Sequence, residues 1–343
     1  MPVPAQNQQY ENFIIRYKQN TQGGFDYESD ETFQIVNDLF GILYIPMKEV
    51  PELELSSYSY SSIPRCYTYM DTGVLSASGV TRLHNHPYLK LQGKGTLVAV
   101  IDSGIDYLHP AFHNGVQSKI LSIWDQTLEG GADGRIPFGR EFSRQQIEQA
   151  LASENPWEIV PSSDTNGHGT RSAATAAGYR IEKENFCGAA PEAEIVIVKL
   201  KQAKNYLRDF YLLPRDTDIF QEDDIMLAIS YVLCIAQEQQ MPLSICIGLG
   251  TSMGAHQGEG PLNEYINSIA AFTQNAVSVP AGNEGTARHH YLGEFGQNDT
   301  EDTVELRVGD RESNRGFMTE FWGDSPGSYY MTIQSPTGEK LSV

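Results

Sequence analysis

Two residues of the sequence have types and positions suited to proton transfer. Asp102 directly follows the apolar run "LVAVI", and His168 stands between two glycines in "DTNGHGTRSAATAAG". An imidazole works as a general base when it is accessible at a cleft and a carboxylate orients its second nitrogen. An Asp after a strand also commonly caps a helix, and a lone His is more often structural than catalytic. Taken together, the two residues predict a general base with its orienting acid.

The segments around these residues predict the elements that must position them. Short apolar runs recur in "GTLVAVIDSG", "AEIVIVKL", "PLSICIGLG" and "NAVSVPAGN", and such runs are typical of parallel strands covered on both faces. Between the second and third runs, "EDDIMLAISYVLCIAQEQ" keeps the apolar spacing of a helix. The prediction is an α/β fold with a doubly wound parallel sheet, in which ligands bind at the carboxyl ends of the strands.

The flanking segments differ from this central region. In residues 1–65, strand-like "NFIIRY" and "GILYIPM" enclose "ESDETFQIVNDLF", which has helical signals, so a small α+β unit is predicted. A Ser- and Tyr-rich connector over Ser56 to Cys66 ends it. In residues 299–343, strand signals alternate with Ser-Pro-Gly and Pro-Thr-Gly turns, which predicts the beginning of a β-rich unit. Residues 66–298 are then the central domain.

Composition excludes several classes of function. The 343 residues are 40% hydrophobic, enough for a substantial core, and the formal net charge of −20 argues against nucleic-acid binding. We find neither a secretory signal nor an apolar segment long enough to span a membrane. The four cysteines are far apart, which predicts reduced thiols rather than a zinc site or a disulfide framework. No cofactor or metal is predicted, because no Asp-x-Asp-x-Asp-Gly loop supports calcium.

Five segments together resemble the subtilase family of serine proteases. They are "VAVIDSGID", "NGHGTRSAATAAG", "GAAPEAEIVIVKL", "ICIGLG" and "VPAGNEG", in the family's order and approximate spacing over residues 85 to 295. The resemblance implies that Asp102 is the acid and His168 the base of a Ser-His-Asp triad, with Asn283 in the oxyanion hole. It also implies that Gly248, Leu249 and Gly250 line the substrate cleft, and that protein or peptide substrates are the partners.

The tetrapeptide Gly-Thr-Ser-Met around Ser252 is spelled like the nucleophile region of this family. The family's order, however, is acid, base, oxyanion Asn and then Ser, whereas Ser252 precedes Asn283. The residues after Ser252 read as a loop, and the family's nucleophile begins a helix in a Gly-Thr-Ser-x-Ala-x-Pro context. We therefore interpret Ser252 as a chance match. The nucleophile is expected in sequence beyond the 343 residues, which by themselves are expected to be inactive.

Within the subtilases, "ILSIWDQT", "SIPRCYTYMDTG" and "GLGTSMGAHQG" resemble the Csp-type germination proteases of clostridial spore formers. That subgroup carries a jelly-roll insertion between the Asn and the Ser, which the residues from 299 would begin. Residues 1–65 would be a prodomain whose tail occupies the cleft and is cut within Ser56 to Cys66. A cytoplasmic or spore-associated location is expected.

Two other classes of function remain open. Some Csp-type members have degenerate triads and act as regulators, so a catalytically inactive binding protein is the alternative. A non-peptidase α/β hydrolase is disfavoured, because no Gly-x-Ser-x-Gly elbow follows a strand.

Overall fold

The predicted strand segments become the strands of one central sheet in the computed structural model. The structure describes residues 3–17, 32–50, 53, 57–69, 80–84, 86, 88–89, 91–132, 134–184, 186–282, 285–295, 301–308, 316–323 and 326–342.

The strands of the described residues are β1 (Tyr10–Arg16), β2 (Phe33–Ile35), β3 (Phe40–Pro46), β4 (Cys66–Tyr69), β5 (Leu97–Asp102), β6 (Ile120–Asp125), β7 (Arg140–Ser143), β8 (Glu194–Lys199), β9 (Phe220–Gln221), β10 (Leu243–Ile247), β11 (Leu249–Gly250), β12 (Asn275–Ser278), β13 (Thr332–Gln334) and β14 (Lys340–Ser342). The α-helices are α1 (Val80–His84), α2 (Arg144–Leu151), α3 (Pro156–Ile159), α4 (His168–Ala177), α5 (Asn205–Phe210), α6 (Glu222–Gln239) and α7 (Pro261–Ala270). Short 3-10 helices span Met47–Glu49, Tyr60–Ser62 and Glu182–Glu184.

The central sheet has the strand order β12-β10-β5-β8-β6-β7. The first five strands of that order run parallel, as predicted, while β7 pairs antiparallel with β6 at one edge. The link from β6 to β7 contains no crossover helix, and a return without a crossover gives an antiparallel pair. The predicted α/β fold with a parallel sheet is confirmed, and one antiparallel strand is added at its edge.

Helices cover both faces of this sheet, which explains the continuous apolar runs. In β5, Leu97, Ala99 and Ile101 belong to one buried cluster together with the apolar residues of α6. Val98 and Val100 belong to the other, together with residues of α2 and α4. Alternate side chains of a strand point to opposite faces, so a strand buried on both sides must be apolar throughout.

The N-terminal unit is a three-stranded antiparallel sheet in the order β1-β3-β2 that packs on α6. The helical prediction within "ESDETFQIVNDLF" is wrong for Phe33–Ile35, which form β2. The reason lies in pairing with β3. The Phe33 ring covers Gly41 so closely that a Cβ at Gly41 would lie 2.2 Å from a ring carbon. This cross-strand contact outweighs a local helical preference.

A second small sheet joins distant segments of the chain. Strand β4 lies in its centre, with β11 on one edge and β9 on the other, both antiparallel to it. Near the C-terminus, β13 and β14 form an antiparallel hairpin whose strand residues are exposed. The small sheet is the one that reaches the predicted site.

Candidate active site

Asp102 and His168 meet at the carboxyl edge of the central sheet. Asp102 is the last residue of β5, and His168 is the first residue of α4. Nδ1 of His168 lies 2.7 Å from Oδ1 and 2.9 Å from Oδ2 of Asp102. Both residues are buried, at 0% and 7% exposure. Because a carboxylate only accepts hydrogen bonds, Nδ1 carries the proton, and Nε2 is the basic nitrogen of the neutral ring. This is the geometry of a base held in one tautomer.

Asp164 fixes the loop and the first turn of α4 that carry His168. Its Oδ1 accepts hydrogen bonds from the Ser103 hydroxyl at 2.8 Å and the Gly167 N–H at 2.9 Å, and its Oδ2 accepts from the N–H and hydroxyl of Thr170 at 2.8 and 2.7 Å. Ser103 Oγ in turn accepts from the Gly169 N–H at 2.9 Å. Burial raises the pKa of Asp164, but the hydrogen bonds from Thr170, Gly167 and Ser103 outweigh burial and hold it below its usual value. Sequence reasoning missed this residue.

Glycines allow the backbone to approach the acid and the base closely. A Cβ on Gly169 would lie 2.2 Å from the carbonyl oxygen of Gly104, so only glycine lets α4 contact the turn after β5. A Cβ on Gly248 would lie 2.3 Å from Oδ2 of Asp102 and 3.1 Å from Cε1 of His168. The backbone between β10 and β11 therefore passes directly beside the pair. Gly248 touches the pair, whereas Leu249 and Gly250 continue away from it as β11.

The predicted substrate-binding residues pair with a segment of the same chain. Leu249 lies opposite Tyr69 and Gly250 opposite Thr68 in the antiparallel pair of β11 and β4. On its other edge β4 pairs with β9, where Cys66 lies opposite Gln221. The paired segment starts where the predicted connector ends: of Ser56 to Cys66, only Cys66 belongs to it. The segment beside Leu249–Gly250 is therefore β4, Cys66–Tyr69.

Ser252 and Asn283, unlike Asp102 and His168, are not part of the described acid–base contact. Ser252 is exposed and lines a pocket of about 300 Å³ together with Arg65, Tyr67 and Leu249, and neither Asp102 nor His168 lines that pocket. Asn283 lies outside the described residues, although its neighbours Pro280 and Ala281 line the same pocket. The assignments of Ser252 as a chance match and of Asn283 as an oxyanion donor both stay predictions.

Two further features are absent from the described residues. Among them, no group of three or more His, Cys, Asp or Glu side chains is arranged to hold a metal ion. No helix within the described part of the chain has the length and apolar character to cross a membrane.

Comparison with known proteins shows which family the central region resembles. Residues 93–211, which contain Asp102, Asp164 and His168, match the model of the subtilase family. The central region of the chain, which we name the subtilase domain, has the subtilase fold. Residues Gly248 to Gly250 lie beyond the matched part of this domain, from the link after β10 to the end of β11.

Three relatives illustrate the similarity of the subtilase domain to known proteins. The structure of the Clostridium perfringens CspB protease superposes with a TM-score of 0.52 and 30% identity, covering 63% of this chain and 42% of that one. An intracellular serine protease of Paenibacillus polymyxa is 29% identical over 197 residues, which are 57% of this chain and 43% of that protease. Subtilisin-like protease SBT1.4 of Arabidopsis thaliana is 30% identical over 125 residues, 32% of this chain and 16% of that protein. The chain spans less than half the length of each of these relatives.

Proposed function

We propose that the subtilase domain is part of a serine endopeptidase in which Asp102 is the acid, His168 the general base and Asn283 the oxyanion donor. The observation that carries the proposal is the buried contact between His168 Nδ1 and Asp102, 2.7 Å long, at the carboxyl edge of the sheet. The similarity to proteases in both sequence and structure supports it.

The chemistry follows from the roles of these residues. A serine hydroxyl attacks a peptide carbonyl only when a base accepts its proton, and Nε2 of His168 is the basic nitrogen for that step. Asp102 keeps the ring in the required tautomer and stabilises the imidazolium that forms. Negative charge then develops on the carbonyl oxygen, and the amide of Asn283 would lower that barrier by about 3–4 kcal/mol.

We further propose that the nucleophile is a serine that follows Asn283 in a Gly-Thr-Ser-x-Ala-x-Pro context. The 343 residues contain no second Gly-Thr-Ser besides that of Ser252. The exposed position of Ser252, in a pocket that His168 does not line, supports its exclusion. On this proposal the 343 residues alone hydrolyse no peptide.

The N-terminal unit acts as a prodomain in this proposal, with β4 as its tail in the substrate cleft. The antiparallel pairing supports a direction: Tyr69, the last residue of β4, lies opposite Leu249, the neighbour of Gly248, and Gly248 contacts Asp102 and His168. We therefore place the processing bond between Tyr69 and Thr72, after β4, rather than within Ser56 to Cys66.

The test is the processing of the full gene product. Intact mass and N-terminal sequencing should show a new N-terminus at Met70, Asp71 or Thr72, and His168→Ala should leave the chain uncut, because no base activates the nucleophile. An uncut wild-type protein that nevertheless cleaves added substrates would contradict the prodomain role. Hydrolysis by residues 1–343 alone that disappears in Ser252→Ala would instead make Ser252 the nucleophile.

A second candidate function is a catalytically inactive subtilase relative that acts as a regulatory or binding protein. The position of β4 between β9 and β11 favours this second candidate. A segment of the same chain fills the groove between those strands and thereby excludes other peptides. Absence of the serine context from the continuing reading frame, together with an uncut protein, would decide for this candidate.

A further inference from the structure

Arg65, the residue just before β4, is buried to an unusual degree for a charged side chain. It is 5% exposed, whereas arginine is rarely fully buried unless it is paired. Its backbone is held on both sides by one residue of the subtilase domain. The Arg65 N–H donates to Oε2 of Glu222 at 3.1 Å, and the Glu222 N–H donates to the Arg65 carbonyl at 2.8 Å. The position of Arg65 relative to the start of α6 is therefore fixed.

The Arg65 guanidinium lies against two glycines of the loop before α7. A Cβ on Gly254 would lie 2.5 Å from Cζ of Arg65, and a Cβ on Gly260 would lie 2.7 Å from Nη2. Both glycines have left-handed φ values, +90° and +134°, which side chains rarely adopt. The Gly254 N–H donates to Oε2 of Glu320 at 2.7 Å, which helps to fix the loop. The loop thus presents a flat backbone surface that fits a planar cation.

The charge of Arg65 is balanced by Glu222 rather than by a direct ion pair. Glu222 is fully buried; burial raises its pKa, and the Arg65 charge is the largest opposing influence. Nε of Arg65 is buried without a hydrogen-bond acceptor among the described residues. The ring of Tyr60 covers the guanidinium, with Cζ 5.7 Å from the ring centroid. The fit therefore depends on packing, on electrostatic attraction and on a side-chain hydrogen bond between Arg65 and Tyr67 of β4 itself. A planar guanidinium meets these conditions better than the ammonium group of a lysine.

We propose that Glu222, Gly254 and Gly260 form a subsite for an arginine side chain located one residue ahead of the stretch that pairs with β9 and β11. Arg65 is its first occupant. This inference rests on the proposed function, because it assigns to substrates the groove that β4 occupies. The preferred substrates are extended peptides with arginine immediately before the four residues that pair in the groove.

A double-mutant cycle in residues 1–343 tests the subsite without requiring activity. The readout is hydrogen exchange of the β4 amides in wild type, Arg65→Ala, Gly254→Ala and the double variant. We expect each single change to accelerate exchange about tenfold. In the Arg65→Ala background Gly254→Ala should have a smaller effect, because the collision with the guanidinium is gone while the backbone strain remains. Fully additive effects, or unchanged exchange in Arg65→Ala, would overturn the subsite.

Arg16→Ala is the matched control. Arg16 also belongs to the N-terminal unit and pairs with Glu264 at 3.0 Å, but its side chain is 64% exposed. We expect unchanged exchange in β4, since exposed ion pairs contribute little to stability. An effect equal to that of Arg65→Ala would mean general loosening of the N-terminal unit and would also overturn the subsite.

A second measurement separates the subsite from the proposed function. The processed full gene product is given two peptides that differ only by Arg or Ala at the Arg65-equivalent position, and kcat/KM should be about tenfold higher for the Arg peptide. Equal hydrolysis of both would reject the subsite as a determinant of specificity. If neither is hydrolysed, the proposed endopeptidase function fails, and the exchange cycle alone decides whether the subsite exists.

Discussion

At the scale of single residues, Asp164 is the position on which the placement of His168 depends. We predict that Asp164→Ala weakens the contact between His168 and Asp102, because Ser103 and the first turn of α4 lose their common acceptor. In NMR spectra, the Nδ1 proton of His168 should exchange with water about tenfold faster. Because a misplaced base slows the chemical step without changing substrate contacts, peptide cleavage by the full gene product should lose more in kcat than in KM on the proposed function.

Asp218→Asn is the control for Asp164→Ala. Asp218 is a half-buried acid that contacts the same loop by accepting a hydrogen bond from Asn166 at 3.1 Å, yet it contacts neither Ser103 nor Thr170 through a described hydrogen bond. Exchange of the Nδ1 proton should remain at the wild-type rate. Equal acceleration in both variants would show that loss of any acid on the loop suffices, and the specific role of Asp164 would be wrong.

The contact between Asp102 and His168 was predictable because both residues lie in segments that occur in the order and spacing of the family. Each residue alone has a common alternative role, as a helix cap or as a structural histidine. Asp164 could not be found in the same way. In sequence, Asp-Thr-Asn-Gly reads as an ordinary turn. Its four bonds to Ser103, Gly167 and Thr170 exist only after the turn, β5 and α4 have come together.

At the scale of elements, the first turn of α6 carries three buried acids. Asp224 is 1% exposed, accepts a hydrogen bond from Lys201 Nζ at 2.5 Å, and has its Oδ1 without a partner among the described residues. Burial raises the pKa of Asp224 to about 7, although Lys201 opposes that shift. Acidic side chains at a helix N-terminus are otherwise favourable, because the helix dipole is positive at that end. This helix start therefore couples stability to pH.

The pH dependence can be predicted with its sign. Because the pKa of Asp224 is higher in the folded than in the unfolded chain, the folded state binds more protons between about pH 4 and pH 7. The free energy of unfolding should therefore fall as pH rises through this window, by at most about 1.4 kcal/mol per pH unit from this group. Urea unfolding of Asp224→Asn should show a flatter dependence. The exposed Asp209→Asn should keep the wild-type slope, and an unchanged slope in Asp224→Asn would contradict the assignment.

The longer elements were predictable from sequence, whereas the short pairings were not. The helical spacing over residues 222–239 gave α6, and the apolar runs gave β5, β8 and β10, because burial of a whole face or of both faces leaves a strong pattern. Strands β9 and β11 have two residues each, too few for any period. Strand β6 mixes Ser122 and Asp125 with apolar residues and was not identified either.

At the scale of the whole molecule, Lys204 joins the N-terminal unit to the subtilase domain. Its buried ammonium group donates to the carbonyls of Pro4 and Tyr10 at 2.8 and 3.1 Å and to Oδ1 of Asn12 at 2.7 Å. Asn12 in turn donates to Asp223 at 2.6 Å. One side chain of the subtilase domain thus satisfies three acceptors of the N-terminal unit.

We predict that Lys204→Met destabilises the chain by about 2–4 kcal/mol, because three acceptors lose their donor and the nearby acids lose a cation. Hydrogen exchange should accelerate in β1 and less in β5, since the loss falls on the junction of the two parts. Lys48→Met is the control, as the Lys48 side chain is 81% exposed. Wild-type exchange in β1 of Lys204→Met would show that the apolar packing of β1 and β3 on α6 holds the unit alone.

The position of β4 between β9 and β11 also affects the apparent affinity of any peptide that binds in the groove between those two strands. A peptide that pairs with Leu249–Gly250 must displace Cys66–Tyr69, which is tethered to the same molecule. For short flexible tethers the effective concentration of such a segment is of millimolar order. A free peptide of equal intrinsic affinity therefore half-fills the groove only at about millimolar concentration. Breaking the tether changes this competition, because the released segment is diluted to the concentration of the protein itself, and the same peptide then binds with an apparent affinity close to its intrinsic one.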